Sequence, residues 1–496
     1  MLNVLRSYAR PVLRVGMAAG LLAGLLLAPV PSALAAPAQG QGASARDLVG
    51  SWLARLEQRA TELETAPKVK ATRVGYGMVL KKGDGGMVDV LVPGPVQPNP
   101  AQPEPEAAAA APVEPAEPLP DGTLAIPAGP APQPLTIQQR AKSADRVGRV
   151  ATRLIELGFL PADQWTESFD ESLEAAVRAF QLAEGLMPDG KVGEVTRQAL
   201  DRTPKEAASL MRGAVAAMKT FQPTVPDTVL LVNLPSQTVT YIERGKLQFT
   251  MRAVVGRPSR QTPLLQDRVT SVTINPTWTV PPTVLVEDKL PVLRKKGNTG
   301  VKNAIVYLDG AEVVPETVNW WAVDPGRIRI VQRPGDDNAL GRFRFNLTNG
   351  EGIFLHGTND PKLFDRDLRA ASSGCVRLAD ARQVAETLLR PAKLDSAAIQ
   401  KQLDSGQTKT VGLPSAVAVR FVYWTATVEP EGTVRVHPGI YDDVSAGAST
   451  PAPAPSVAAT SSTVKRLEPK PAPAARSTLP APAPAPAQLV RAVVDR

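Results

Sequence analysis

Apolar positions recur at helical spacing in the first half of the chain and alternate in the second half. Leu48, Trp52 and Leu56 predict an amphipathic helix within 45–65, while residues 66–91 admit a strand or two with no assignable role. Over 145–202 the pattern is that of a small helical unit. Val147, Val150, Leu154 and Leu157 line one helix that Gly158 stops, and Leu173, Val177 and Phe180 line a second that ends before Gly185. A turn-rich stretch from Gly185 to Gly193 leads into a short closing helix at Thr196–Leu200.

From Asp227 the period changes. Thr228–Leu234, Gln237–Glu243 and Leu247–Val255 read as successive strands joined at Pro235-Ser236 and Arg244-Gly245. Val269–Ile274, Ile328–Gln332, Arg342–Asn346 and Ile353–His356 are further strand candidates. A late hairpin, Val417–Val428 with Thr433–His437, turns at Glu431-Gly432; residues 379–390 and 395–404 read as helices. The region is mainly β with a few helices, and long enough for a substantial core.

Two tracts break this order. Residues 92–134 and 451–486 hold much of the chain's 49 prolines, and such sequence cannot bury enough apolar surface to offset chain entropy. They read as a disordered linker and a tail, the latter taken as 444–496. The start of the chain reads as a secretory signal over residues 1–35. Arg6, Arg10 and Arg14 precede an apolar run, Val15 to Ala28, and Ala33-Leu34-Ala35 forms a cleavage pattern. The apolar run is shorter than a spanning helix needs, and no cysteine follows it to carry lipid. The expectation is therefore a secreted, extracytoplasmic (periplasmic) protein without stable membrane insertion. The net charge is +8, half of it in the tail after Ser445. A solvated spacer is the favoured reading of that tail over contact with an anionic surface. No basic stripe interleaved with aromatics points to nucleic acid.

Chemistry concentrates in one place. The chain has one cysteine, Cys375, and two histidines, His356 and His437. A lone thiol in a secreted protein makes no internal disulfide. A thiol attacks acyl carbon only as thiolate, and a neighbouring imidazole supplies the base and then the acid. Cys375 and His356 are the right pair, each at the end of a predicted strand. Gly374 permits close backbone approach, so the amides around Gly374 and Cys375 are candidate oxyanion donors. A papain-like protease is disfavoured because there the cysteine precedes the histidine. His437 reads as a structural surface residue. No metal-ligand spacing is present, and no cofactor is expected.

The quoted blocks carry a resemblance. Ala179-Phe180-Gln181, Gly185-Leu186, Asp189-Gly190, Gly193, Thr196 and Leu200 resemble the three-helix peptidoglycan-binding domain, placed at 145–202. His356-Gly357-Thr358 followed by Ser372-Ser373-Gly374-Cys375-Val376-Arg377 resembles the signature of the L,D-transpeptidases, whose YkuD-type catalytic domain would span 225–443. Asn275–Pro282, Gln332–Gly335 and Asn338–Arg342 resemble further blocks of the large periplasmic members. The fold so implied is a mainly β catalytic domain with a capping insertion at about 289–327, plus a small all-α three-helix domain. Residues 36–91 remain a segment of unknown role.

The resemblance implies Cys375 as nucleophile, His356 as general base and acid, and the Gly357 carbonyl as the group orienting the imidazole. It places Ser372, Ser373, Gly374, Arg377, Trp278 and Phe354 as substrate-binding or oxyanion residues. Ser373 stands where many members have a second histidine, and Phe354 where close relatives have tyrosine. For Arg377 a structural ion pair is as good a reading as substrate contact, and for Trp278 a core position as good as a substrate wall. The implied partner is peptidoglycan. The implied activity is 3→3 cross-linking from a tetrapeptide donor with release of D-alanine. Alternatives are an L,D-carboxypeptidase, an enzyme attaching lipoproteins to the wall, and a non-catalytic wall-binding scaffold.

Overall fold

The computed structural model describes residues 44–67, 71–85 and 137–441. The expected signal, linker and tail lie outside them. Helix α1 (Ala45–Thr65) opens on a capping box, in which Ser44 and Asp47 satisfy each other's main-chain amides. The helical unit follows as α2 (Ile137–Glu156), α3 (Glu171–Ala183) and α4 (Glu194–Asp201). Its turn after α3 is explained by one buried side chain. Gln181 Nε2 donates to Asp189 Oδ1 at 2.9 Å, the Lys191 carbonyl at 2.9 Å and Thr196 Oγ1 at 3.1 Å. Its Oε1 accepts from the Gly190 amide at 2.8 Å. The Gln, Asp-Gly and Thr of the pattern therefore hold one another, a fully satisfied polar knot beside Phe180.

The 66–91 segment admitted a strand or two. Its described residues form isolated bridges, Leu80 to Val192 and Gly85 to Ser168, and insert Val74 and Leu80 into the core of the helical unit.

Helix α5 (Pro204–Phe221) was not foreseen. Thr203 and Glu206 form its capping box, and Pro204 fits the first turn. It packs along α1, with Arg212–Glu64 and Lys219–Glu57 pairs across the seam at 2.7 and 2.6 Å. Together these two helices cover the outer face of the β-domain.

That domain contains β1 (Val229–Asn233), β2 (Thr238–Glu243), β3 (Lys246–Gly256), β4 (Gln266–Ile274), β5 (Trp278–Thr279), β6 (Ala304–Leu308), β7 (Ala311–Val313), β8 (Ile328–Gln332), β9 (Phe343–Asn346), β10 (Leu355–His356), β11 (Ala370–Ser372), β12 (Val376–Leu378), β13 (Lys409–Val422), β14 (Ala426–Val428) and β15 (Val434–Val436). The helices are α6 (Leu290–Lys296), α7 (Ala381–Leu389) and α8 (Ser396–Asp404). The main sheet runs β11-β3-β12-β10-β9-β4-β13-β1-β2, and β2 also pairs with β3, so it closes on itself. Its inner face wraps α7 and α8.

Strand β1 shows why the sequence folds this way. Every residue of Val-Leu-Leu-Val-Asn is buried: Leu230 and Val232 enter the core around α7, while Val229 and Leu231 meet α1 and α5. A run apolar on both faces is what a strand between two layers requires.

The region expected as a capping insertion, about 289–327, holds β6 and β7, which pair beyond its bounds. Strands β5, β8, β6 and β7 form a separate four-stranded sheet, with its own core of Val280, Leu290, Leu293, Trp320 and Ile330. Trp278 lies half-buried at the edge of that core, so its position is that of a packing residue.

Candidate active site

His356 is the last residue of β10, and Cys375 immediately precedes β12. These strands are parallel neighbours, with Leu355 beside Val376 and His356 beside Arg377. Leu355 and Val376 point into the core; by alternation His356 and Arg377 occupy the opposite face. Continuing the register by one residue puts Cys375 beside Phe354 on that same face. The thiol and the imidazole thus share one face of one strand pair.

The nucleophile turn is built by hydrogen bonds. Ser372 Oγ donates to the Cys375 carbonyl at 2.6 Å and accepts from the Gly374 amide at 3.1 Å. Thr262 Oγ1 donates to the Gly374 carbonyl at 2.7 Å. Gly374 has φ +114°, in a region that favours glycine, and a Cβ there would stand 3.2 Å from Ile353 Cδ1. The Gly374 amide is therefore committed to Ser372, and both residues shape the turn. Ser373 is exposed and its Oγ accepts from Arg260 Nη1 at 2.9 Å.

Arg260 joins this turn to the cap. Its Nε donates to Glu287 Oε2 at 3.0 Å, and Nη1 and Nη2 reach the two oxygens of Asp288 at 3.0 and 3.2 Å. Glu287 and Asp288 belong to the π-type turn Leu285–Lys289 that enters α6. No sequence spacing announced this bridge.

His356 is 4% exposed. Burial, helped by Arg377 and Arg344, pulls its pKa down to about 3, although the carbonyls of Gly357 and Leu340 favour the protonated ring. The Leu340 carbonyl is brought toward the ring by the Asn338–Arg342 turn, though the ring Nδ1 completes no hydrogen bond. Asn338 anchors that turn, donating to the Pro276 and Arg333 carbonyls at 3.0 and 2.9 Å. Gly341, at φ +62°, lets it press against the chain, because a Cβ there would lie 2.5 Å from the Thr358 nitrogen.

Burial raises the Cys375 pKa above the ordinary thiol value, opposed by the Phe354 main-chain amide, Arg344 and Arg377. The thiol donates to the Gly352 carbonyl at 3.7 Å. Both shifts favour the uncharged forms, a thiol and a neutral imidazole. The Phe354 ring lies 5.5 Å from the His356 ring, and the Arg344 guanidinium lies 4.7 Å over the Phe354 ring. Arg377 makes no ion pair among the described residues, although Asp360 acts on it electrostatically.

His437 is corrected too. It directly follows β15 and is half-buried rather than a surface residue, with Nε2 2.8 Å from Thr427 Oγ1. It borders a cavity of about 80 Å³ walled by Trp52 and Trp424.

Residues 227–412 match the YkuD family model, described as the L,D-transpeptidase catalytic domain. Residues 143–200 match a model described as "Putative peptidoglycan binding domain". The β-rich region of the chain is thus similar to YkuD-type L,D-transpeptidase catalytic domains, and the helical unit before it to peptidoglycan-binding domains. A Haemophilus influenzae protein named "Putative L,D-transpeptidase" is 33% identical over 221 residues, 44% of this chain and 45% of that protein. The match therefore spans under half of the relative's length. Among solved structures, an L,D-transpeptidase from Mycobacterium smegmatis aligns at 11% identity and TM-score 0.20, covering 40% of this chain and 58% of that one. One from Stackebrandtia nassauensis aligns at 13% identity and TM-score 0.20, covering 55% and 88%.

Proposed function

We propose that the protein is an extracytoplasmic L,D-transpeptidase that makes 3→3 cross-links in peptidoglycan by cysteine acyl transfer. The observation that carries this reading is the placement of Cys375 and His356 on one face of the β10–β12 pair, within the matched catalytic domain. His356 takes the Cys375 proton as sulfur attacks the carbonyl of the third stem residue. The developing oxyanion meets the Cys375 amide. The bond to D-alanine breaks, its nitrogen receives the proton from His356, and a thioester remains. The side-chain amine of a second stem then displaces the sulfur, passing its proton to His356 and returning the thiol. The peptidoglycan-binding domain, residues 145–202, holds the enzyme on the wall. The signal, linker and tail keep the roles read from the sequence: export, tether and spacer.

The test is incubation of the mature protein, and of Cys375→Ala, with purified tetrapeptide muropeptides, read by mass spectrometry. A tetrapeptide–tripeptide dimer with loss of D-alanine, absent in the mutant, is expected. Tripeptide monomer alone identifies a carboxypeptidase, and unchanged substrate with wall still bound identifies a scaffold.

A further inference from the structure

The face that carries His356 also carries two guanidinium groups with no counter-ion. In register, Arg344 on β9 lies beside His356 on β10, which lies beside Arg377 on β12. Both arginines are half-buried. Neither makes a side-chain hydrogen bond or ion pair among the described residues, and the buried Nε of each lacks a partner. Arg146, Arg342 and Arg420 share the unpartnered Nε, but each donates through its Nη1, as Arg344 and Arg377 do not. Arg369 donates to the main-chain carbonyls of Ser236, Gln237, Ala253, Arg366 and Asp367. Arg153 donates to the Leu200 carbonyl at 2.7 Å and pairs with Glu156 at 2.8 Å. Buried charge is costly unless paired, so two unpaired cations side by side mark a place where an anion belongs.

The surroundings supply none. Asp360 acts on Arg377 electrostatically but sits beyond ion-pair distance, and the other opposing charge reaching either arginine is the Cys375 thiolate. Arg344 is held by its stack on Phe354, a contact that fixes the cation without neutralising it.

We propose that Arg344 and Arg377 form a carboxylate subsite for the donor stem, beside the attacked bond. This rests on the transpeptidase reading and deepens it. The leaving D-alanine carries a free carboxylate one carbon from the scissile nitrogen, and guanidinium forks match carboxylate geometry. The third stem residue can offer a second carboxylate of the same chemistry. Arg344 and Arg377 are then specificity-determining residues that select a C-terminal stem over an extended or amidated one.

The test compares three donors on the full mature protein: the free-acid tetrapeptide, its D-alanine carboxamide, and a tetrapeptide amidated at the third-residue side chain. Thioester formation on Cys375 is followed by intact mass against donor concentration, for wild type, Arg344→Gln, Arg344→Lys and Arg377→Gln. Wild type should favour the free acid over the carboxamide by about 10- to 100-fold, the value of a charge-assisted bond, mainly in KM. Arg344→Gln and Arg377→Gln should each erase most of that preference, and Arg344→Lys should retain part. Discrimination against the side-chain amide instead supports the subsite and assigns it the other carboxylate. Equal use of all three donors by wild type overturns the proposal, as does equal slowing of every donor in Arg344→Gln. If no donor acylates wild type, the transpeptidase reading fails. Calorimetry on Cys375→Ala then still decides the subsite: tighter binding of either free carboxylate over its amide supports it, and equal binding of the three peptides rejects it.

Discussion

His356 and His437 are the chain's two histidines, and burial pulls both imidazoles down to about 3. They sit in regions built to opposite ends. Around His437, Nε2 meets Thr427, and Trp424 packs edge-on against Phe221 and Trp52 at centroid distances of 5.2 and 6.4 Å. Around His356, the ring Nδ1 and the Nε atoms of Arg344 and Arg377 all lack partners. A shifted pKa therefore does not distinguish the two histidines. Unmet hydrogen-bonding capacity beside a thiol does, because a fully satisfied network has nothing left to offer a substrate.

Several measurements sharpen this contrast. Trp424→Ala, on the His437 side, should cost about 3–5 kcal/mol in chemical denaturation, while folded enzyme keeps its rate of thioester formation. A matching loss of rate per folded molecule would blur the two regions. Arg260→Ala frees the cap from Ser373 and should lower acylation roughly tenfold through misplacement, with little change in melting temperature; a large melting shift without a rate effect would make the bridge merely structural. Thr427→Val should cost about 1 kcal/mol, the value of one hydrogen bond, again without touching acylation.

Two pH effects complete the set. Each histidine is protonated in the unfolded chain below about pH 6.5 but stays neutral in the fold down to about 3. Stability is thus intact above that window and falls as pH drops through it, by about 1.4 kcal/mol per unit per histidine. His437→Gln should make the acid limb of melting temperature against pH visibly shallower than in wild type. Because burial raises the Cys375 pKa, its alkylation by iodoacetamide should keep climbing past pH 9. A plateau near neutrality would reveal a thiolate–imidazolium pair.

The chemistry was legible in the sequence because it is carried by rare side chains in a tight motif. The thiol, the motif histidine His356 and the helix stops at Gly158 and Gly185 could be read directly, whereas the half-burial of His437 could not. What escaped was of another kind. The Leu340 carbonyl is a main-chain group with no side-chain trace. Strands β11 and β12 have three residues each, too few for a period. The partnership of Arg344 with Arg377 exists only once β9, β10 and β12 are set in register, across thirty-three residues of chain. Helix α5 did carry its signals, Thr203-Pro204 with Glu206, but its alanine-rich face gave weak contrast.

The most direct test of the contrast between the histidines is the yield of the Cys375 thioester, by intact mass, in wild type, His356→Gln and His437→Gln exposed to one tetrapeptide donor. The expected result is a rate loss of roughly a hundredfold or more in His356→Gln, with His437→Gln within about twofold of wild type per folded molecule. Equal loss in both variants, or full activity in His356→Gln, would contradict the assignment of the β10–β12 face as the catalytic one.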